Sequence, residues 1–451
     1  MRGLFVLAVC LWAGAVARDE VDDWVDATVL PSLQADVSKE VRDRNGDLLR
    51  VYTNADGRWR LPVTLDDVDP TYLRMLVRFE DKRFFDHHGV DVIAALRAAG
   101  QAAWYRRVVS GGSTLTMQVA RLLEDGSTGR WHGKLRQIRV ALALERHLSK
   151  DEILALYLNH APFGGNIEGV RAASYAYFDR PPRRLTPAQS ALLVAIPQSP
   201  EVRRPDRAAA AATQARDAVL ARLAADGFVD AATYEAAIRI PVPATRHLLP
   251  AHAPHMSDRM LARAPQQSQY NLTLDLRLQT ALEDLALNAT QGRSDGVQIA
   301  IMVADHQSGN ILASVGSAAY SATTPGGFID LTQAVRSPGS TLKPLIYGLG
   351  FDQGLIHPET MIADRPTNFD GYSPQNFDGL FRGELRVRTA LQHSLNIPAV
   401  SVTQALGPHH LIAGLRRAGA TPQVPGGAPG LAVALGGVGL TLQDLVGLYA
   451  A

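Results

Sequence analysis

The sequence predicts a multidomain chain in which an all-α domain is followed by an α/β domain. Three observations carry this reading. From Tyr72 to Leu223, apolar residues recur at i, i+3 and i+4 with few strand-like alternations. Between Pro241 and Pro265 the chain turns rich in Pro, His and Ala and loses sustained periodicity, which marks a linker or boundary. Beyond it, Asp275 to Asn288 reads as an amphipathic helix, and Val297 to Ala304 and Ile311 to Val315 read as strands joined through residues 305–310. The expected organisation is a leader over residues 1–17, the helical domain over 40–225, a linker region over 226–270 and the α/β domain over 271–451.

At the N-terminus, Arg2 precedes an uncharged apolar run from Leu4 to Ala17. At about 14 residues it is short for a spanning helix and fits the core of an export signal. Ala15-Val16-Ala17 before Arg18 suits a cleavage site, so this is a signal peptide or a short signal anchor. In the helical domain, Ser149-Lys150-Asp151-Glu152 and Thr186-Pro187-Ala188-Gln189 are capping boxes that start two helices.

Composition sets outer limits. With 451 residues, 46% hydrophobic and 20% charged, the chain can bury more than one core. Its 45 Lys+Arg against 44 Asp+Glu create no global field for nucleic acid, which is not expected as a partner. The single cysteine, Cys10, excludes an internal disulfide framework and a cysteine-based zinc site.

The densest reactive cluster is Glu80-Asp81-Lys82-Arg83-Phe84-Phe85-Asp86-His87-His88-Gly89, at the end of a predicted helix begun near Pro70. Further on, Ser110-Gly111-Gly112-Ser113-Thr114-Leu115-Thr116-Met117-Gln118 sets two glycines before a helix, where free N–H groups can cradle a phosphate. Taken alone, this second segment is a loop and an N-cap. A third stretch, Val90 to Val109, mixes Ile93, Leu96, Trp104 and Tyr105 with Arg106 and Arg107, which suits a membrane interface or an ordinary buried helix with a basic turn. In the second domain, Ser340 and Lys343 stand at i and i+3 after Pro338-Gly339, and Ser394-Leu395-Asn396 follows about 50 residues on. The chain uses arginine almost everywhere, and a lysine here is notable because only lysine readily loses its proton to act as a base.

Through EDKRFFDHHG, GGSTLTMQ, SKDEILALYLN and FGGNIEGVRAASYAYF, in that order, the helical domain resembles the glycosyltransferase domains of class A penicillin-binding proteins. GGSTLTMQ, LNHAPFGG and Ile196-Pro197-Gln198-Ser199-Pro200 point to one branch of those synthases. The resemblance implies a lysozyme-like helical fold, followed by a partial β-lactamase-like transpeptidase domain. It implies lipid II and the growing glycan strand as substrates, a membrane interface and cell-wall synthesis proteins as partners, and a place on the outer, periplasmic face of the bacterial cytoplasmic membrane.

Glu80 matches the family's general base, which would take the proton of the lipid II 4-hydroxyl as that oxygen attacks the anomeric carbon of the chain. Undecaprenyl diphosphate then leaves with inversion. The plainer alternative makes Glu80 a surface acid paired with Lys82 or Arg83. Arg97, Arg121 and Lys134 fall where the family sets cations around the diphosphate, with Gly112, Ser113 and Gln118 beside them. Asp81, Phe84 and His88 are expected as scaffold. One departure is Gln137, which stands where the family carries a second glutamate, eight residues before Glu145. An amide holds a divalent cation poorly, so no cofactor is required and a magnesium-assisted step is doubtful.

In the second domain the implied roles are Ser340 as nucleophile, Lys343 as its base, Ser394 as proton relay and Asn396 as ligand of the donor peptide. No Lys-Thr-Gly triplet occurs in the sequence, so the transpeptidase domain is expected to be truncated and inactive, and Ser340 is not expected to be acylated by penicillin. The function expected is polymerisation of lipid II into β-1,4 glycan strands. The alternatives are a non-catalytic scaffold of the synthesis complex, or a hydrolase of finished glycan.

Overall fold

The computed structural model describes residues 2–105, 112–124, 131–293 and 296–450. The chain forms two units, 1–40 with 51–250 and 41–50 with 251–451. The first boundary is not linear in sequence, because the hairpin of β1 (Lys39–Arg42) and β2 (Leu48–Tyr52) places residues 41–50 in the second unit. The main boundary, at 250/251, lies inside the segment read as a linker.

The first unit starts with α1 (Arg2–Asp26), whose end is tied by ion pairs from Arg146 to Asp22 and Asp26. A short parallel pair joins β3 (Trp59–Arg60) to β4 (Ile167–Glu168). Asp69 opens α2 (Pro70–Glu80) by accepting from the Thr71 N–H at 2.8 Å, with proline at the first helical position. Tyr72, Met75 and Leu76 of α2 are buried, and the helix stops where Asp81 turns to φ −155°. Next come α3 (Val92–Tyr105), α4 (Leu115–Leu123) and α5 (Trp131–His147). They are followed by α6 (Lys150–His160), α7 (Val170–Phe178) and α8 (Pro187–Ala195), then by α9 (Ala209–Ala225) and α10 (Ala231–Ile238). Both expected capping boxes, at Ser149 and Thr186, are formed.

α8 organises this unit. Ala188, Ser190 and every residue from Ala191 to Ala195 are buried, as expected of a helix that is apolar all round. It packs against α2, α9 and α10, while α4 packs against α5 and α6. The helical domain is therefore built as the sequence predicts, and α2, which ends at Glu80, packs on this buried helix.

In the second unit β5 (Gln269–Asn271) adds to β1, giving the strand order β2-β1-β5. α11 (Pro254–Arg263) precedes it, and α12 (Leu276–Thr290) follows with Asp275 as its cap. β6 (Ile301–Ala304) and β7 (Ile311–Val315) form an antiparallel pair, shorter at its start than the sequence pattern suggests. α13 (Lys343–Asp352) leads to the antiparallel pair β8 (Met361–Asp364) and β9 (Gly383–Arg386). α14 (Val387–Gln392), α15 (Asn396–Leu406), α16 (Pro408–Arg417) and α17 (Leu442–Ala450) complete it. Its core gathers Leu342, Ile346 and Tyr347 against Val387, Ile397, Val400 and Leu411.

Candidate functional site

Glu80 closes α2, and the two bases beside it are engaged elsewhere. Lys82 bonds Asp226 at 2.5 Å and Arg83 reaches Asp91 at 3.4 Å. The surface ion pair that would make Glu80 structural is thus not formed. Its carboxylate instead accepts from two neutral amides, Gln118 Nε2 on Oε2 at 2.9 Å and Gln198 Nε2 on Oε1 at 2.7 Å. The buried phenols of Tyr72 and Tyr157 have their pKa values raised, chiefly by burial and further by the Glu80 charge. The two amides orient the carboxylate without pairing it with a cation.

The loop after Glu80 is fastened from below. Asp81 Oδ2 accepts from the Leu115 N–H at 2.9 Å and faces His87 Nε2 at 3.0 Å. Thr114 caps α4 by accepting from Met117 N–H and donates to the Gly89 carbonyl at 2.6 Å. Gly89 has φ +89°, and a Cβ there would lie 2.8 Å from the Ala141 carbonyl oxygen of α5. Asp81 and Phe84 are buried scaffold as expected, but His88 is exposed. The histidine of the scaffold is its neighbour His87, buried against Asp81.

The cations expected at the diphosphate fall on three elements. Lys134 on α5 donates to Ser113 Oγ at 2.6 Å and reaches Gln137 Oε1 at 3.5 Å. Burial, and then the charge of Arg121 on α4, lower the Lys134 pKa. Arg121 lines a polar cleft of about 490 Å³ with Arg58, Arg60, His160 and Glu168. Arg97 is exposed on α3, and Gly112 packs on that helix, with a Cβ there falling 3.2 Å from Ala95 Cα. Ser110 and Gly111 of the glycine turn lie outside the described residues, as do Arg106 and Arg107 and the side chain of Tyr105. Gln137 is buried with its amide oxygen turned to the Lys134 ammonium. That arrangement does not fit a divalent cation, and among the described residues no group of three or more metal-ligating side chains stands together.

A second constellation lies in the other unit. Ser340 is exposed in the 3₁₀ turn Gly339–Leu342, and Lys343, which opens α13, is 1% exposed. The ammonium donates to the Ser394 carbonyl, to Ser394 Oγ at 3.2 Å and to Asn396 Oδ1 at 2.7 Å. Burial lowers its pKa to about 8. Lys343, Ser394 and Asn396 are therefore brought together, while the Lys343 hydrogen bonds do not include Ser340. Ser394 sits at φ +51°, a strained backbone for a non-glycine residue. The loop is held because Asn376 Oδ1 accepts from the Asn396 N–H at 2.8 Å, and Asn376 Nδ2 donates to the buried Asp364 at 2.9 Å. Neither Asn376 nor Asp364 carries a local sequence signal. Gln198 had one, in Ile196-Pro197-Gln198-Ser199-Pro200, but without a role attached.

Residues 45–224 match the family model described as Transglycosylase, and residues 299–434 match the Penicillin binding protein transpeptidase domain. Residues 45–224 thus form a domain of the transglycosylase family and residues 299–434 one of the penicillin-binding transpeptidase family, the domain order of the class A penicillin-binding proteins. The chain is 42% identical over 423 residues to Penicillin-binding protein 1C of Escherichia coli, which covers 94% of this chain and 55% of that protein. It is 28% identical to Penicillin-binding protein 1F of Bacillus subtilis, over 91% of this chain and 59% of that one. The chain thus spans between half and two thirds of the length of these relatives. A crystal structure of Penicillin-Binding Protein 1A from Haemophilus influenzae aligns with TM-score 0.46 and 16% identity, over 94% of this chain and 68% of that one.

Proposed function

We propose that this chain polymerises lipid II into β-1,4 glycan strands with release of undecaprenyl diphosphate. The observation that carries the reading is a Glu80 carboxylate whose neighbouring bases are bound elsewhere and whose contacts are two neutral amides. A carboxylate so held is oriented by hydrogen bonds and has no cation competing for the proton it is to accept. In the reaction, Glu80 takes the proton of the acceptor 4-hydroxyl while its oxygen bonds the anomeric carbon of the growing chain. The bond from that carbon to the diphosphate breaks, and Lys134, Arg121 and Arg97 offset the charge that develops on the leaving group. Gln137 contributes by holding the Lys134 ammonium, and no step is routed through a metal.

The lipid part of the substrate calls for a membrane surface. Val92, Ile93, Leu96 and Trp104 are all exposed on α3, apolar side chains suited to that interface. Among the described residues no helix is long and apolar enough to cross a membrane. The working location is the outer face of the cytoplasmic membrane, where the substrate is presented. In the second domain we assign Ser340 as the nucleophile of acyl transfer, with Lys343 as base, Ser394 as relay and Asn396 as peptide ligand, a set that without a Lys-Thr-Gly triplet is not expected to be acylated by penicillin. Formation of glycan chains from labelled lipid II by residues 18–451 in detergent tests the main reading. No polymer from folded protein would favour a scaffold role, and fragments released from purified sacculi would favour a hydrolase.

A further inference from the structure

Gln198 stands apart from the cationic machinery, at the end of the 3₁₀ turn Ile196–Gln198 that prolongs α8. Ile196 and Pro197 are buried while Gln198 is exposed, so an anchored backbone offers its side chain outward. A glutamine amide can face either way. Here one orientation is enforced, because Arg203 Nη1 donates to Gln198 Oε1 at 2.8 Å and a guanidinium has no acceptor. The same Nη1 donates to the Ala195 carbonyl at 2.7 Å, which ties Arg203 to the last residue of α8. The NH₂ end must then point at Glu80, and it does, at 2.7 Å from Oε1. Gln118 grips the other oxygen from α4, so rotation of the carboxylate would break one bond or the other. Each oxygen keeps an open lone pair for the incoming hydroxyl.

We infer that Gln198, set by Arg203, is a positioning residue that aims the Glu80 carboxylate at the acceptor hydroxyl. The inference rests on Glu80 being the base of the proposed polymerase. Neutral donors suit the task, since they fix the carboxylate plane without the strong pairing that a cation would impose. Glutamate at position 198 keeps the shape and the Arg203 contact, but has no N–H to give and sets a second negative charge beside Glu80.

Steady-state polymerisation of lipid II should be measured on the full chain and on Gln198→Ala, Gln198→Glu, Arg203→Ala and Glu80→Gln, with thermal unfolding of each. Gln198→Ala should lose about ten- to a hundredfold in kcat, the rate equivalent of one hydrogen bond to a charged group, with little change in KM. Gln198→Glu should be at least as impaired although it is the better isostere, and Arg203→Ala should fall between wild type and Gln198→Ala. Wild-type kcat in folded Gln198→Glu, or a Gln198→Ala loss confined to KM, would overturn the inference. Should Gln198→Ala melt early, the isosteric Gln198→Glu decides. Failure of the underlying reading shows differently, as turnover that survives Glu80→Gln.

Discussion

Glu80 and Lys134 show at the scale of single residues how partner chemistry separates groups of the same type. Lys82, Arg83 and Arg136 each have a carboxylate partner, the last being Glu124 at 2.8 Å, whereas Lys134 donates to a hydroxyl and, among the described residues, Glu80 accepts from two amides. Glu80→Gln should therefore abolish polymerisation, by at least ~10²-fold, while circular dichroism and the melting temperature stay unchanged. Lys134→Ala should lower lipid II turnover strongly and Arg136→Ala only slightly. Equal losses at both would point to general attraction instead of a defined clamp. Burial and Arg121 hold Lys134 below the ordinary lysine range, so its charge is complete at low pH and is lost as pH rises through that lowered value. The alkaline limb of kcat/KM should accordingly fall at lower pH than an ordinary lysine would give, and Lys134→Arg, which stays protonated, should move it upward. Gln137→Ala should cost much less than Glu80→Gln, because the amide supports Lys134 and carries no charge of its own.

Helix starts were legible at the scale of elements wherever the cap lies within four residues of its partner, as at Ser149 and Thr186. What the local pattern does not contain is the second bond of Thr114, which joins the α4 cap to Gly89 across 25 residues. Thr114→Val should remove the cap and orphan the Gly89 carbonyl, a loss of ~1–2 kcal/mol in urea unfolding, while Thr114→Ser keeps both bonds and most of the stability. Strand ends follow the same logic. Residues 297–300 have a strand-like pattern, but β7 ends at Val315 opposite Ile301, so they find no ladder partner in that pair. Gln298 is spent on loops, accepting from the Ala318 N–H at 3.1 Å and donating to the Pro325 carbonyl at 2.7 Å. Periodicity identifies the strand, and its partner sets its length.

For the whole molecule, the unit that spans 251–451 draws on residues 41–50. Leu272 N–H donates to the Arg42 carbonyl at 2.8 Å, Arg44 N–H to Leu274 at 2.9 Å and His252 N–H to Leu49 at 2.7 Å. Asp43 also accepts from the Leu276 N–H, at 3.1 Å, next to the start of α12. Residues 251–451 expressed alone should expose the edge of β5 and unfold at a lower temperature, with more aggregation by gel filtration, than the same fragment fused to 41–50. Identical behaviour of the two fragments would count against that dependence. The sequence by itself determined the two domain types, the helix starts, Glu80 as the candidate base and the Ser340–Lys343 spacing, because each is written in contiguous residues or in a motif of fixed order. Only the tertiary structure decided that His87 and not His88 supports the site, that Gln198 reaches Glu80 across 118 residues, and that Lys343 bonds Ser394 and Asn396. These choices depend on which side chains meet when distant segments pack, and burial and hydrogen-bond directions exist only once they do.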